Sequence, residues 1–155
     1  MIYKNVCIVG AGAIGGWLGA GLARAGCDVS FLARGATLTA LQTAGLKLQS
    51  PQLIGQAEQT HVVRASNSAA ELGVQDLVII AVKAPALRDV AAQIAPLLGR
   101  DTVVLTAMNG VPWWFLQGFG GELADHALGS VDASGEIAAA IPAAHIIGGV
   151  VHASS

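Results

Sequence analysis

Arg34, Lys83 and Asn109 are the polar side chains whose positions in this sequence could support chemistry. Each follows a short apolar run of the kind that forms a buried strand: Val29–Leu32, Leu77–Val82 and Thr102–Thr106. Parallel strands end at one edge of a sheet, and open α/β folds bind their ligands in the crevice at that edge. We therefore expect Lys83 and Asn109 to face one crevice, and the guanidinium of Arg34 to meet a phosphate.

A glycine-rich turn lies between the apolar run Val6–Val9 and a helical stretch rich in Ala and Leu, and it reads Gly10, Ala11, Gly12, Ala13, Ile14, Gly15. In such a strand–turn–helix the first glycine permits the tight turn, the second admits a pyrophosphate to the backbone, and the third brings helix and strand together. The N–H groups and positive dipole end of the helix then face the phosphates. This context predicts a dinucleotide site, although in a chain with 20 glycines the spacing alone could be chance.

The residue at the end of the second predicted strand indicates which dinucleotide is bound. An Asp or Glu is usual there, roughly 20 residues past the fingerprint, and it binds a free ribose 2′-hydroxyl. This chain has Leu32-Ala33-Arg34 at that place and no acid, which favours NADP(H) over NAD(H). The alternatives are ordinary surface roles: a solvated charge for Arg34, an ammonium extended into water for Lys83, and a turn at Asn109-Gly110.

The elements that must position these residues alternate between short apolar strands and longer helical patterns. The predicted strands are Val6–Val9, Val29–Leu32, Leu46–Leu48, His61–Arg64, Leu77–Val82, Thr102–Thr106 and Ile146–Val151, with a connection containing Pro51 and Gly55 before His61. The predicted helices are Ile14–Ala25 (with Trp17, Leu18, Gly21 and Leu22 at helical spacing), Thr37–Ala44, Leu87–Leu98 and Pro112–Leu116. This alternation predicts a doubly wound α/β domain over residues 1–155, with a mostly parallel Rossmann-type sheet and helices on both faces.

The composition narrows the classes of partner. The chain has 155 residues, of which 54% are hydrophobic and only 12% charged, with a net charge of −2. No basic cluster supports binding to nucleic acid, and no apolar run or leader sequence indicates a membrane span or secretion, so we expect a soluble cytoplasmic protein. Cys7 and Cys27 are expected to be reduced thiols, and the four histidines lack the spacing of metal ligands.

The aromatic run Trp113-Trp114-Phe115 follows Asn109 closely. Such residues more often fill a core or an interface, but this position also makes them a candidate wall for a substrate pocket. His152 ends the last predicted strand, and we expect it to pack or to face solvent, because no carboxylate partner lies near it in the sequence.

Taken together, several segments in this order resemble the ketopantoate reductase family, the 2-dehydropantoate 2-reductases: Gly10–Gly15, Leu32-Ala33-Arg34, Val82-Lys83-Ala84, Asn109-Gly110-Val111-Pro112-Trp113-Trp114 and Ile147–His152. The resemblance implies NADPH-dependent reduction of 2-dehydropantoate, a small 2-oxo acid, to (R)-pantoate in pantothenate biosynthesis. It implies that Gly10 to Gly15 hold the pyrophosphate and that Arg34 meets the 2′-phosphate. Lys83 and Asn109 would contact the nicotinamide side, Asn109 would also reach the substrate, and backbone near Ala153 and Ser154 would touch the cofactor.

Family members also carry a second, helical domain that supplies a general-acid lysine, an asparagine and an acidic residue. The sequence ends at Ser155 without them, so on the resemblance we expect an N-terminal half with no catalytic residue of its own. Such a fragment should bind NADP(H) weakly, turn over little, and self-associate through the face that would meet the second domain.

Two other functions stay open on the sequence. One is a paralogous NADP-dependent reductase that acts on another small 2-oxo acid. The other is a nucleotide-sensing Rossmann module without catalysis, although such modules commonly have an acid where this chain has Arg34.

Overall fold

The computed structural model describes residues 3–48, 59–118 and 121–153. The strands are β1 (Asn5–Val9), β2 (Asp28–Leu32), β3 (Leu46–Leu48), β4 (Gln59–His61), β5 (Arg64–Ser66), β6 (Leu77–Ile80), β7 (Val103–Ala107) and β8 (Ile146–Gly149). The helices are α1 (Ala13–Arg24), α2 (Gly35–Ala44), α3 (Ala69–Leu72), α4 (Leu87–Ala91) and α5 (Glu136–Ala140). The predicted connection around Pro51 and Gly55, and the predicted contact at Ser154, lie outside the described residues.

The main sheet has six parallel strands in the order β5-β2-β1-β6-β7-β8, and β3 and β4 form a separate antiparallel pair. The chain winds outward from β1 in one direction and then from β6 in the other, so the strand order reverses beside β1. Val9 at the end of β1 aligns with Leu32 of β2 and with Ile80 of β6. The carboxyl ends of the central strands therefore meet at the reversal point, where doubly wound folds bind ligands.

The two faces of the sheet carry separate apolar cores. Val6 and Ile8 of β1 pack on one face with Ala20 of α1 and Leu41 of α2. Cys7 and Val9 point the other way and join a core that includes residues of α3, α4 and α5. Alternation along β1 thus buries both of its faces under helices, which confirms the predicted doubly wound architecture.

Helix α1 packs on the sheet through its small residues. Gly15, Gly19 and Ala20 are buried, and a Cβ added at Gly19 would lie 2.5 Å from Cζ of Phe31. Of the apolar residues at helical spacing, Leu18 and Leu22 pack against the core, whereas Trp17 is 59% exposed. Small side chains allow the helix to approach the sheet closely, so the indole must lie on the outer side.

The predicted strand His61–Arg64 was right only at its two ends, which belong to different strands, and His61 pairs with Leu46 of β3. Strand β4 ends at His61, Val62 is 98% exposed, and β5 begins at Arg64 as a new strand beside β2. Val62 and Val63 favour a strand by residue type, but the chain passes from one sheet to the other at these residues.

Two predicted helices are shorter or differently built. The pattern Leu87–Leu98 contains α4 and then a 3₁₀ turn at Ala95–Leu97, because Pro96 cannot continue the helical hydrogen bonding. The predicted helix Pro112–Leu116 is a succession of turns, in which the N–H of Phe115 donates to the carbonyl of Pro112 over 3.2 Å.

Cys7 lies wholly inside the sheet, and burial raises the pKa of its thiol to about 11. Cys27 is half-buried, and its thiol donates to the carbonyl oxygen of Tyr3 over 3.6 Å. Within the described ranges, no three His, Cys, Asp or Glu side chains are grouped to hold a metal ion. No helix in those ranges has the length and apolar character needed to cross a membrane.

Candidate functional site

The turn between β1 and α1 is fixed by two glycines that cannot carry a side chain. Gly10 has φ +98°, and a Cβ there would lie 2.7 Å from the carbonyl oxygen of Ala81. A Cβ on Gly15 would collide with the carbonyl oxygen of Gly10. Because both glycines lack a Cβ, the start of α1 can lie close against the ends of β1 and β6.

Gly12 differs from the other two glycines of the motif. It is exposed, it forms the N-cap of α1, and nothing lies within 4 Å of the position that a Cβ would take. The N–H of Gly16 donates to its carbonyl over 2.7 Å and starts the helix. The preceding N–H groups of α1 and its positive dipole end thus border open space, as binding of an anion requires.

A first groove of about 460 Å³ lies on the β2 side of this turn. It is lined by Val9, Gly10, Ala11, Gly12, Leu32, Ala33, Arg34, Thr37, Asn67, Val82, Ala86, Asp89, Val90 and Gln93. One wall follows β2 and the other belongs to α4, with the glycine turn between them. Arg34 is therefore placed beside the glycine turn, although the two are far apart in sequence.

Arg34 meets an acid across this groove. Its Nη2 lies 3.1 Å from Oδ2 of Asp89, and the two side chains are 71% and 60% exposed. Asp89 belongs to α4, so the ion pair connects the two walls. Solvent screens an ion pair at this exposure, and its contribution to stability is small.

Sequence reasoning missed four polar residues of the first groove, namely Thr37, Asn67, Asp89 and Gln93. Asn67 directly follows Ser66 at the end of β5, and it would have been a candidate had β5 been recognised as a strand of the main sheet. Asp89 and Gln93 are four positions apart, so they lie on one side of the α4 segment. That spacing of two polar residues was the available signal for a polar wall.

A second groove, of about 610 Å³, lies on the β7 side of the turn. It is lined by Gly12, Ala13, Ile14, Ala81, Val82, Lys83, Ala84, Ala107, Met108, Asn109, Val151 and Ala153. Lys83 and Asn109 thus border one groove, as their positions after neighbouring strands predicted. Gly12 and Val82 line both grooves, which together form one cleft across the start of α1.

The Asn109 side chain is held by the segment that follows β8. Its Nδ2 donates to the carbonyl of Val151 over 3.0 Å, and its Oδ1 accepts the N–H of Val151 over 2.8 Å. The amide therefore joins the ends of β7 and β8 and fixes one wall of the second groove. One Nδ2 hydrogen and one Oδ1 lone pair remain for a ligand.

An aromatic pocket of about 410 Å³ adjoins the second groove and shares Ala84, Met108 and Asn109 with it. Trp113 is buried in the core, and its indole N–H donates to the carbonyl of Ile141 over 3.4 Å. Trp114 covers Gly148, where a Cβ would lie 2.5 Å from the indole. Trp113 therefore packs in the core, and Trp113, Trp114 and Phe115 line this pocket, whose use by a substrate stays a prediction.

The predicted residues are thus distributed along one cleft. Gly10, Ala11 and Gly12 border the first groove with Arg34, while Gly12, Ala13 and Ile14 border the second with Lys83 and Asn109. Gly15 is buried behind the turn, and His152 is exposed.

The start of α1 lies between Arg34 at one end of the cleft and Lys83 and Asn109 at the other. This arrangement suits an elongated, doubly anionic ligand. The fold and the cleft define a doubly wound protein of the Rossmann type. The family model for ketopantoate reductase PanE/ApbA matches residues 6–115. The chain belongs to the ketopantoate reductase family.

Three relatives illustrate the likeness. The chain is 48% identical over 150 residues to a 2-dehydropantoate 2-reductase of Mesorhizobium japonicum, covering 96% of this chain and 44% of the relative. It is 33% identical over 108 residues to a glycerol-3-phosphate dehydrogenase [NAD(P)+] of Streptomyces avermitilis, covering 69% of this chain and 32% of the relative. A crystal structure assigned as a ketopantoate reductase of Ralstonia solanacearum superposes with a TM-score of 0.90 at 56% identity, covering 98% of this chain and 46% of that one. The chain therefore spans less than half the length of these relatives.

Proposed function

We propose that residues 1–155 form the cofactor-binding domain of an NADPH-dependent reductase that converts 2-dehydropantoate to (R)-pantoate in pantothenate biosynthesis. The observation that carries the proposal is the pair of adjoining grooves over the start of α1, with Arg34 lining one and Lys83 and Asn109 lining the other. The name of the Mesorhizobium relative supports the reaction, and the name of the Streptomyces relative supports a nicotinamide cofactor.

In this proposal the glycine turn receives the pyrophosphate. The backbone of Gly10 to Gly15 provides N–H groups at the start of α1, and the open position at Gly12 lets phosphate oxygens approach them. The guanidinium of Arg34 binds the 2′-phosphate at the far end of the first groove. When bound, NADPH supplies the hydride for reduction of the ketone.

The second groove holds the nicotinamide and the substrate beside it. Lys83 and the remaining hydrogen-bonding positions of Asn109 orient the nicotinamide side, and Asn109 also contacts the 2-oxo acid. Backbone at Ala153, which lines this groove, would contact the cofactor. These hydrogen bonds fix the distance and angle between the reacting groups.

Reduction of a ketone places negative charge on its oxygen, and a proton donor aimed at that oxygen lowers the barrier by several kcal/mol. We assign that donor to the part of the longer relatives that this chain does not span. The 155-residue chain by itself should therefore bind the cofactor and reduce 2-dehydropantoate slowly at most, which the loss of NADPH absorbance would show. Turnover at the rate of ordinary reductases would contradict this assignment.

Replacement of Arg34 tests the cofactor. Arg34→Ala should weaken NADPH binding by about 1.5–3 kcal/mol, or roughly tenfold to a hundredfold, because it removes hydrogen bonds to a charged group. NADH binding should change little, since NADH has no 2′-phosphate. Titration of both reduced nucleotides by their fluorescence measures the two affinities.

Arg88→Ala is the matched control, because Arg88 is also exposed and ion-paired, to Glu136 over 3.3 Å, but it does not line the first groove. It should leave both affinities unchanged. Tighter binding of NADH than of NADPH by the unchanged chain would reverse the cofactor assignment.

A further inference from the structure

The carboxylate of Asp89 lies where a bound 2′-phosphate would have to approach Arg34. Its Oδ2 is 3.1 Å from Nη2 of Arg34, and both residues line the first groove from facing walls. The position of Arg34 after the second strand indicated the arginine from the sequence, but the acid comes from α4 and is brought there only by the fold.

The ion pair changes the field that an incoming phosphate meets. A phosphate monoester carries about −1.5 to −2 charges at neutral pH. An unpaired guanidinium would attract it with a full positive charge, whereas Arg34 beside Asp89 forms a nearly neutral pair. The phosphate must therefore displace the carboxylate or share the guanidinium with it. Displacement loses the ion pair, and sharing brings two anions close together. The uncharged 2′-hydroxyl of NADH meets neither cost.

We propose that Asp89 is a specificity-determining residue that lowers the preference of the site for NADPH over NADH; this inference rests on the proposed function. Dinucleotide folds that select NADH place an acid at the end of the second strand, where its carboxylate accepts a hydrogen bond from the ribose 2′-hydroxyl. Here Leu32-Ala33-Arg34 provides no acid, and Asp89 supplies a carboxylate from the opposite wall. The site therefore accepts both cofactors, with Arg34 and Asp89 acting in opposite directions.

The same contact has an alternative effect, which would give the opposite result. A carboxylate can hold a guanidinium in the orientation that a phosphate needs, and its removal would then weaken NADPH binding. The exposure of the pair argues against this, because side chains that are 71% and 60% exposed are weakly held by each other. The contact also uses one terminal nitrogen of a group with five N–H donors, so the orientation gained is small.

Asp89→Asn tests the proposal, since it removes the charge and nearly preserves the shape. Four probes separate the 2′ position from the nicotinamide: NADPH, NADH, and the adenosine fragments 2′,5′-ADP and 5′-AMP. We expect NADPH and 2′,5′-ADP to bind about threefold to tenfold more tightly to the variant, the range for one screened charge acting on a phosphate. NADH and 5′-AMP should bind within about twofold of the original affinity or more weakly.

Glu136→Gln is the matched control. Glu136 is a similarly exposed carboxylate paired with an arginine, 61% exposed at 3.3 Å from Arg88, and it does not line the first groove. It removes the same net charge, so an effect of overall charge would appear in both variants. Only Asp89→Asn should change the ratio of the NADPH and NADH affinities.

The outcomes separate this inference from the proposed function. Weaker NADPH binding by Asp89→Asn, or an equal change for all four probes, would overturn the role of Asp89 while the cofactor site stands. If the unchanged chain bound neither NADPH nor NADH, the proposed function would fail and this inference with it. Raising the salt concentration should reduce the difference between Asp89→Asn and the unchanged chain, because the carboxylate is exposed.

Discussion

The two ends of the cleft are built on different principles. At the end beside β2, Arg34 and Asp89 are exposed and contact each other across the groove through their side-chain charges. At the end beside β7, Asn109 holds the backbone of Val151 through both atoms of its amide. The first end is adjustable and the second is fixed.

This difference suits the two tasks of a dinucleotide reductase. The choice between cofactors depends on one phosphate, and a single exposed charge can alter it without disturbing the sheet. Positions at the reacting end must be kept to within fractions of an ångström, and backbone-anchored groups do this better than solvated ones. We therefore expect substitutions at the first end to change selectivity, and substitutions at the second to change all dinucleotides together.

The largest effect should come from the turn that joins the two ends. Gly15→Ala places a methyl group against the carbonyl oxygen of Gly10, and it should lower the free energy of unfolding by about 3 kcal/mol. Gly12→Ala adds the same methyl group in open space at φ −75°, so stability should change by less than about 1 kcal/mol. Thermal or urea unfolding measures both.

Binding should separate these two variants in the other direction. A methyl group on Gly12 occupies space that phosphate oxygens need, so we expect Gly12→Ala to weaken NADPH and NADH equally, by about tenfold or more. A folded Gly12→Ala variant with unchanged affinity for both would show that the pyrophosphate does not lie on this turn, and the comparison of the two ends would lose its basis.

Features set by local sequence were predictable, and those set by tertiary placement were not. The strand–glycine–helix segment and the end of β2 follow from apolar runs and from the steric needs of Gly10 and Gly15, whereas β6 ends at Ile80, before the predicted Val82. Asp89 could not be connected with Arg34, because that contact depends on where α4 lies over the sheet. Asn67 was missed because β5 was not separated from the exposed Val62.

The packing of α1 shows the same limit in the core. Helical spacing correctly indicated a helix, but it did not show that Trp17 lies on the outer side. The closeness allowed by Gly15 and Gly19 decides the orientation instead, and it leaves Trp17 outside. Hydrophobic periodicity indicates which residues of a helix can be buried, whereas the close approach of a helix to a sheet requires small residues between them.

Asn109→Ala should give a smaller effect than the glycine changes. It removes two hydrogen bonds to the backbone of Val151, worth about 1 kcal/mol each, and releases the wall of the second groove. We expect NADPH and NADH to weaken by the same factor, about fivefold to tenfold, in contrast to Arg34→Ala. Titration of both nucleotides against each variant measures this contrast.

Asn109→Asp is the control that separates the two contacts of the amide. The carboxylate can still accept the N–H of Val151 but cannot donate to its carbonyl, so an intermediate loss is expected. If Asn109→Ala altered only one of the two nucleotides, the distinction between a selective end and a fixed end would be wrong.

The smallest effect concerns the aromatic pocket beside the fixed end. Val111 and Val150 line it and are 59% and 72% exposed, and Phe115 at its wall is 46% exposed. Contiguous exposed apolar surface favours association, so we expect the chain to self-associate as its concentration rises. Light scattering should show a mass that increases with concentration, and Val111→Ser with Val150→Ser should weaken this association by about fivefold.

Val62→Ser is the matched control for that association, because Val62 is 98% exposed but lies beside β5, at the opposite edge of the sheet from β8. It removes one fully exposed valine where the double variant removes two partly exposed ones, and it should leave the association unchanged. A chain that stays monomeric at high concentration would contradict the prediction. Equal weakening by Val62→Ser would mean that general surface hydrophobicity drives the association. The pocket would then have no particular part in it, and the second groove would be bordered by an ordinary surface.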